Sequence, residues 1–134
     1  MKIEVSTANG RVPVTILHVT GDLDASSAMM LQNRADELIR QGASHILLDL
    51  TDAPYVSSAG FRAIHTIYNQ LRGLHPAANL TDEQVRRGVS EGSYTSPHLK
   101  LLNLSDETRK VFKLTGFDMY IEAYDDMKQA VAAF

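Results

Sequence analysis

Two adjacent serines, Ser57 and Ser58, stand directly ahead of an amphipathic stretch and are the residues in this 134-residue chain best placed to do chemistry. A serine at a helix start commonly serves as an N-cap, which explains one serine of the pair well and two less well. A helix N-terminus also tolerates an added dianion, because its unpaired N–H groups and the helix dipole favour negative charge. Phosphorylation there would leave the fold intact while adding a charge of about −1.5 to −2 at neutral pH. Forcing an unpaired charge into an interface costs about 2–5 kcal/mol. That is a loss of roughly 30-fold to several thousand-fold in affinity, enough for an on/off switch.

Other chemistries fail on residue type or spacing. A serine hydrolase needs its nucleophile in Gly-x-Ser-x-Gly, and Val56-Ser57-Ser58-Ala59-Gly60 has the later glycine but not the earlier one. Neither a GxxxxGK[ST] nor a GxGxxG loop is present to cradle phosphate. His18, His45, His65, His75 and His98 lack the i, i+4 pairing of a zinc helix and read as structural or surface residues. Asp49, with Asp22 and Asp24, imitates the acidic set of a phospho-aspartate receiver. The leading hairpin is wrong for that topology, however, and no lysine ends the last strand. Asp22, Asp24, Asp49 and Asp52 therefore read as caps of turns and helix starts. The expectation is a protein that is not an enzyme and needs no metal or cofactor.

The elements that must position the serines follow from periodicity. Lys2 to Thr7 alternates and Val14 to Thr20 is β-branched, so both read as strands joined by an Asn9-Gly10 turn with φ > 0. Ala28, Leu31, Ala35, Leu38 and Ile39 mark one face of a helix, with Asp24 or Ser26 as its cap and Gly42 at its end. His45 to Leu50 is a nearly continuous apolar strand. A second helix runs from about Ser58 to Leu74, with Phe61, Ile64, Ile67, Leu71 and Leu74 on one stripe. Leu99 to Leu104 is a strand, Ser105 opens a third helix ending near Gly116, and Tyr120 to Ala123 is a short last strand. Asp125 caps a terminal helix carrying Met127, Ala130, Val131 and Phe134.

The order β-β-α-β-α-β-α-β-α predicts an α/β fold, a mixed sheet with an N-terminal hairpin followed by alternating helices and strands. Residues 75–98 exceed the usual connection of ~2–6 residues and read as an insertion in a single 1–134 domain. It holds one helix candidate, from Thr81 with Gln84 completing a capping box to about Arg87. The bland reading of the insertion is a solvated loop. The alternative is an added contact through Arg86, Arg87 and Tyr94.

Bulk properties narrow the function classes. A net charge of −3 gives no footprint for nucleic acid or an anionic membrane. The absence of cysteine excludes disulfide and thiolate chemistry and suits a reducing cytoplasm. The start MKIEVSTANGRV is too polar for a signal peptide, and no apolar run approaches the ~18 residues of a membrane span. The expected location is the cytoplasm.

Three segments together resemble the STAS domain of bacterial anti-sigma-factor antagonists: Gly21-Asp22-Leu23-Asp24, His45-Ile46-Leu47-Leu48-Asp49-Leu50, and Tyr55-Val56-Ser57-Ser58-Ala59-Gly60-Phe61-Arg62. Leu114-Thr115-Gly116-Phe117 adds to the likeness, which covers nearly the whole chain outside residues 75–98. The resemblance implies a partner-switching cycle. The unphosphorylated antagonist binds an anti-sigma-factor serine kinase, the kinase phosphorylates it with ATP, and a cognate phosphatase reverses the step. Ser58 falls at the phosphoacceptor position, and Ser57, a cap or secondary site, stands where many members have aspartate. Asp22, Asp24, Ser26, Ser27, Ser57, Ser58, Gly60 and Arg62 are the expected partner-binding residues, with Gly60 allowing a partner to approach closely. Two alternatives stay open: a non-phosphorylated STAS scaffold, and a small-ligand module seated near Asp22 and Ser57. Pairing into a homodimer is also left open.

Overall fold

The computed structural model describes residues 1–74, 82–90 and 95–134. Ile3 and Val5 alternate with exposed Lys2 and Glu4 along β1 (Lys2–Asn9), which pairs antiparallel with β2 (Pro13–Thr20) from Lys2↔Thr20 to Asn9↔Pro13. The turn differs from the sequence expectation. Asn9 belongs to the strand, the connection is Gly10 to Val12, and neither Asn9 nor Gly10 has positive φ. Gly10 answers to a distant contact instead. A Cβ built on it would lie 2.8 Å from the backbone oxygen of Val131, near the other end of the chain.

Three further strands continue the sheet in parallel: β3 (Ile46–Asp52), β4 (Leu99–Leu102) and β5 (Glu122–Tyr124), in the spatial order β1-β2-β3-β4-β5. Because the order never reverses, right-handed crossovers carry the connecting helices to one face. These are α1 (Ala28–Arg40), α2 (Ser58–Leu74) and α4 (Asp106–Leu114). Leu31, Leu38, Phe61, Ile64, Ile67, Leu71 and Phe112 pack there against Leu17, Val19, Ile46, Leu48, Leu50, Leu99 and Leu101. Gly42, at φ 110°, ends α1 as expected, with its N–H donating to the Ile39 carbonyl at 3.0 Å and that of Ala43 to Leu38 at 2.9 Å. Ser105 caps α4, accepting from the Thr108 N–H at 3.2 Å.

The opposite face is covered by α5 (Met127–Ala132), whose Ala130 and Val131, with Phe134, meet Val14, Ile16, Leu47 and Leu102. Its cap is Asp126, accepting from the Gln129 N–H, whereas Asp125 is committed to Arg109 at 2.7 Å. The last strand starts two residues later than expected. Phe117–Met119 form a 3-10 turn, and the N–H groups of Tyr120 and Ile121 both return to the Phe117 carbonyl.

Between α2 and β4, α3 (Asp82–Ser90) contributes Val85, 5% exposed, to the main core. The described part of residues 75–98 is therefore tied into the fold and is not purely a solvated loop. Arg86 and Arg87 are exposed as expected, with Arg87 3.6 Å from Glu83. Thr81, Tyr94 and His75 lie outside the described residues.

His65, on the flank of the buried stripe of α2, makes the fold sensitive to acid. Its ring stacks on Phe117 at 5.6 Å and its Nδ1 is 3.0 Å from the Tyr120 hydroxyl. Burial holds the imidazole below its usual range and pushes the Tyr120 phenol up to about 12. The unfolded chain takes up a proton near pH ~6.5, so this contribution is complete above that pH and lost as pH falls toward the depressed folded value. Thermal melts at pH 7 and pH 5 are expected to show a fall in Tm that is smaller in His65→Phe, which keeps the stacking and removes the titration.

Candidate partner-binding site

In a parallel sheet the loops after the strands gather at the carboxyl ends, and here the loops following β2 and β3 lie side by side. The Leu23 N–H donates to the Tyr55 carbonyl and the Ser57 N–H donates to the Leu23 carbonyl, both at 2.9 Å, so Leu23 and Val56 form an isolated parallel bridge. Leu23 and Val56 are buried. This short ladder sets the first turns of α1 and α2 at the same end of the molecule.

The two serines divide their roles. The Ser57 hydroxyl accepts from the Gly60 N–H at 3.3 Å and the Ser57 carbonyl accepts from Phe61, so Ser57 is the N-cap of α2. Ser58 is the first residue of the helix and is exposed, and among the described residues its hydroxyl has no hydrogen-bond partner. The first turn of α2 holds no acidic residue, and Arg62, one turn on, is exposed. Within the first turn of α2 no side chain therefore opposes added negative charge at Ser58, and the nearest acidic residues in the paired loop are the exposed Asp22 and the half-buried Asp24 flanking Leu23.

The remaining expected residues separate into surface and support. Asp22 and Ser26 are exposed, and Asp24 is half-buried. Asp24 Oδ1 accepts from the Ser26 hydroxyl at 2.6 Å and the Ser26 N–H at 3.0 Å, and these bonds, the hydroxyl first, hold its carboxyl below the usual range. Neither Asp24 nor Ser26 caps α1 through its side chain. Ser27 occupies that cap position without a side-chain cap bond, while Asp24 closes the turn ahead of it, its carbonyl accepting from Ala28. Ser27 itself is a correction. It is 6% exposed and its hydroxyl donates to the Asp22 carbonyl at 2.8 Å, so it shapes the loop from beneath and is not part of the exposed surface.

Gly60 is a second correction. It is buried, and what comes close to it is the protein's own paired loop: a Cβ there would meet the Leu23 backbone oxygen at 2.6 Å and the Val56 side chain, at Cγ1, at 2.8 Å. Its bare Cα lets the two loops close.

Met29 and Met30 in the first turn of α1, 58% and 50% exposed, and Tyr55 in the loop before α2, 52% exposed, add an adaptable apolar surface to the same end. Sequence reasoning missed them because an exposed methionine on an amphipathic helix has no signature of its own. It also missed that Asp49 and Asp52 cap no helix and instead hold His18 from either side.

The division between the serines is testable by stability alone. Ser57→Ala is expected to cost about 0.5–2 kcal/mol as a lost N-cap, and Ser58→Ala to stay within about ±0.5 kcal/mol, both read from urea unfolding. Equal losses for the two variants would contradict the assignment.

Comparison with known proteins places this fold in a family. The sequence pattern of the STAS domain family matches residues 5–75, a span that includes both loops and the serine pair. BtrV of Bordetella bronchiseptica, named as an anti-sigma factor antagonist, is 25% identical over 134 residues, covering 100% of this chain and 95% of that protein. A Thermotoga maritima protein of the same description has a similar fold, with a TM-score of 0.70 at 19% identity over 96% of this chain and 90% of that one. The Bacillus cell fate determinant SpoIIAA in its phosphorylated form superposes with a TM-score of 0.64 at 16% identity, over 97% of this chain and 96% of that one. The chain belongs to the STAS domain family.

Proposed function

We propose that this protein is an anti-sigma-factor antagonist whose binding to an anti-sigma-factor serine kinase is controlled by phosphorylation of Ser58. In the unmodified state the kinase docks on the end of the sheet framed by Asp22, Asp24, Ser26 and Arg62, with Met29, Met30 and Tyr55 supplying apolar contact. The kinase then transfers phosphate from ATP to the Ser58 hydroxyl, whose proton is lost as the new O–P bond forms and ADP leaves. The dianion ends up in the middle of the contact and the complex separates. A cognate phosphatase returns the serine to its free form. The cycle belongs in the cytoplasm, where ATP is available and a chain without cysteine is at no disadvantage.

The observation that carries this reading is the exposed Ser58 hydroxyl, without a hydrogen-bond partner among the described residues, beside a Ser57 that already caps the helix. A modification there removes no bond that the fold uses. The family relatives named as anti-sigma factor antagonists, and a fold neighbour solved in a phosphorylated form, support the same cycle.

The test is intact-mass spectrometry after incubation with ATP and serine kinases from the same genome. A single gain of about 80 Da that maps to Ser58 and vanishes in Ser58→Ala is the expected result. No gain with any such kinase would overturn the phosphorylation cycle and favour a constitutive binding scaffold.

A further inference from the structure

The sheet face opposite α1, α2 and α4 carries an arrangement that the serine switch leaves unused. His18 of β2 stands between two carboxylates of β3, with Nδ1 2.8 Å from Asp49 Oδ2 and Nε2 2.8 Å from Asp52 Oδ2. In a regular strand, residues three apart point to opposite faces. Here the pairing shifts from His18↔Asp49 to Thr20↔Asp52, so β3 holds one residue more than β2 over this stretch. That bulge reverses the alternation and brings both carboxylates to one ring.

The geometry fixes the ring's protonation. An ionised carboxylate only accepts hydrogen bonds, and a neutral imidazole has one N–H and one lone pair. Two carboxylate oxygens at hydrogen-bond distance therefore require both ring nitrogens to carry protons. Burial alone would raise the Asp49 carboxyl, but the Thr51 hydroxyl, His18 and the Thr51 N–H outweigh it and keep the group ionised. From β1, Glu4 is paired with His18 in register and its charge is attracted to the ring, while Lys2 lies 3.0 Å from Glu4.

This clamp sits at the root of the serine loop. Asp49 accepts from the Thr51 N–H and hydroxyl, and the Thr51 hydroxyl in turn accepts from the Asn103 amide at 2.8 Å. The Asp52 carbonyl accepts from Gly21, which opens the loop carrying Leu23. Five residues after Asp52 comes Ser57.

We infer that His18 is a positioning residue for the acceptor serine, an imidazolium that pins the end of β3 and whose deprotonation releases Asp52 and loosens the path to Ser58. The direction of the pH effect follows. Hydrogen bonds to Asp49 and then Asp52 hold the imidazole above its usual range against the opposing effect of burial. The clamp is complete below pH ~6.5 and is lost as pH rises through the elevated folded value. Recognition of Ser58 then weakens by roughly tenfold, the worth of one hydrogen bond between charged groups. The consequence for Ser58 rests on the switch proposed above, whereas the clamp does not.

Nitrogen-15 NMR of the intact protein tests both parts. At pH 6.5 the His18 ring is expected to show two protonated nitrogens. On raising the pH, the amide signals of Ser57 and Ser58 are expected to shift with the midpoint of His18. In Asp52→Asn the side-chain amide can donate to the lone pair of a neutral ring, so the clamp outlasts deprotonation and the step at the serine amides disappears. A neutral His18 at pH 6.5, serine amides indifferent to its midpoint, or an unchanged step in Asp52→Asn would each overturn the inference. With a kinase in hand, the rate of Ser58 phosphorylation should fall across the same midpoint in the parent and stay level in Asp52→Asn, and a level rate in both would also overturn it. Failure of every kinase at every pH would refute the switch while the ring and amide signals still decide the clamp.

Discussion

The backbone pairing of Leu23 with the segment around Val56 is the constraint on which the rest of the site depends. Two hydrogen bonds of 2.9 Å join the loops that follow β2 and β3. They hold only because Gly60 presents no side chain where the Leu23 oxygen would meet one at 2.6 Å. Once the loops are joined, the entry of α1 and the start of α2 are fixed at one end of the sheet. Ser57 is consumed as a cap and Ser58 is left facing solvent. The surface proposed for a partner is thus set by a buried packing condition at a glycine, one layer below its exposed residues.

The sheet divides its two faces unequally. One is covered by α1, α2 and α4 and is almost wholly apolar, while the other shares a small core under α5 with charged groups held in pairs. Lys100, 2% exposed, bonds Glu122 and lies 5.3 Å from the centre of the Phe134 ring. A buried amine of this kind needs its partners and strongly penalises other arrangements of the terminal segment. His18 with Asp49 and Asp52 is the counterpart at the carboxyl end of the strands. The lysine pair ties down the terminus, and the histidine with its two carboxylates joins β2 to the end of β3.

What was legible in the sequence is what depends on nearest neighbours along the chain. The stripe Phe61, Ile64, Ile67 and Leu71, the stop at Gly42 and the cap at Ser105 follow local rules, and the structure bears them out. What was hidden depends on contacts between distant segments. Asn9-Gly10 looks like a turn, but Gly10 is required by the approach of Val131. Gly60 and Ser27 look like surface residues of a recognition motif, but both are buried by the loop pairing. The His18 clamp needs a bulge in β3 that no local pattern announces, because strand alternation places Asp49 and Asp52 on opposite faces. At the serine pair, the motif singled out the segment, and the geometry separates the two hydroxyls, one a cap and the other exposed.

The proposed switch stands or falls on whether one phosphate at Ser58 decides the strength of a protein contact. The most direct measurement is calorimetric titration of the serine kinase partner with the unmodified protein and with protein phosphorylated at Ser58, at one salt concentration. Phosphorylation is expected to lower the affinity by about 30-fold or more, the effect of an uncompensated charge in an interface. Equal affinities for the two forms would contradict the proposed switch.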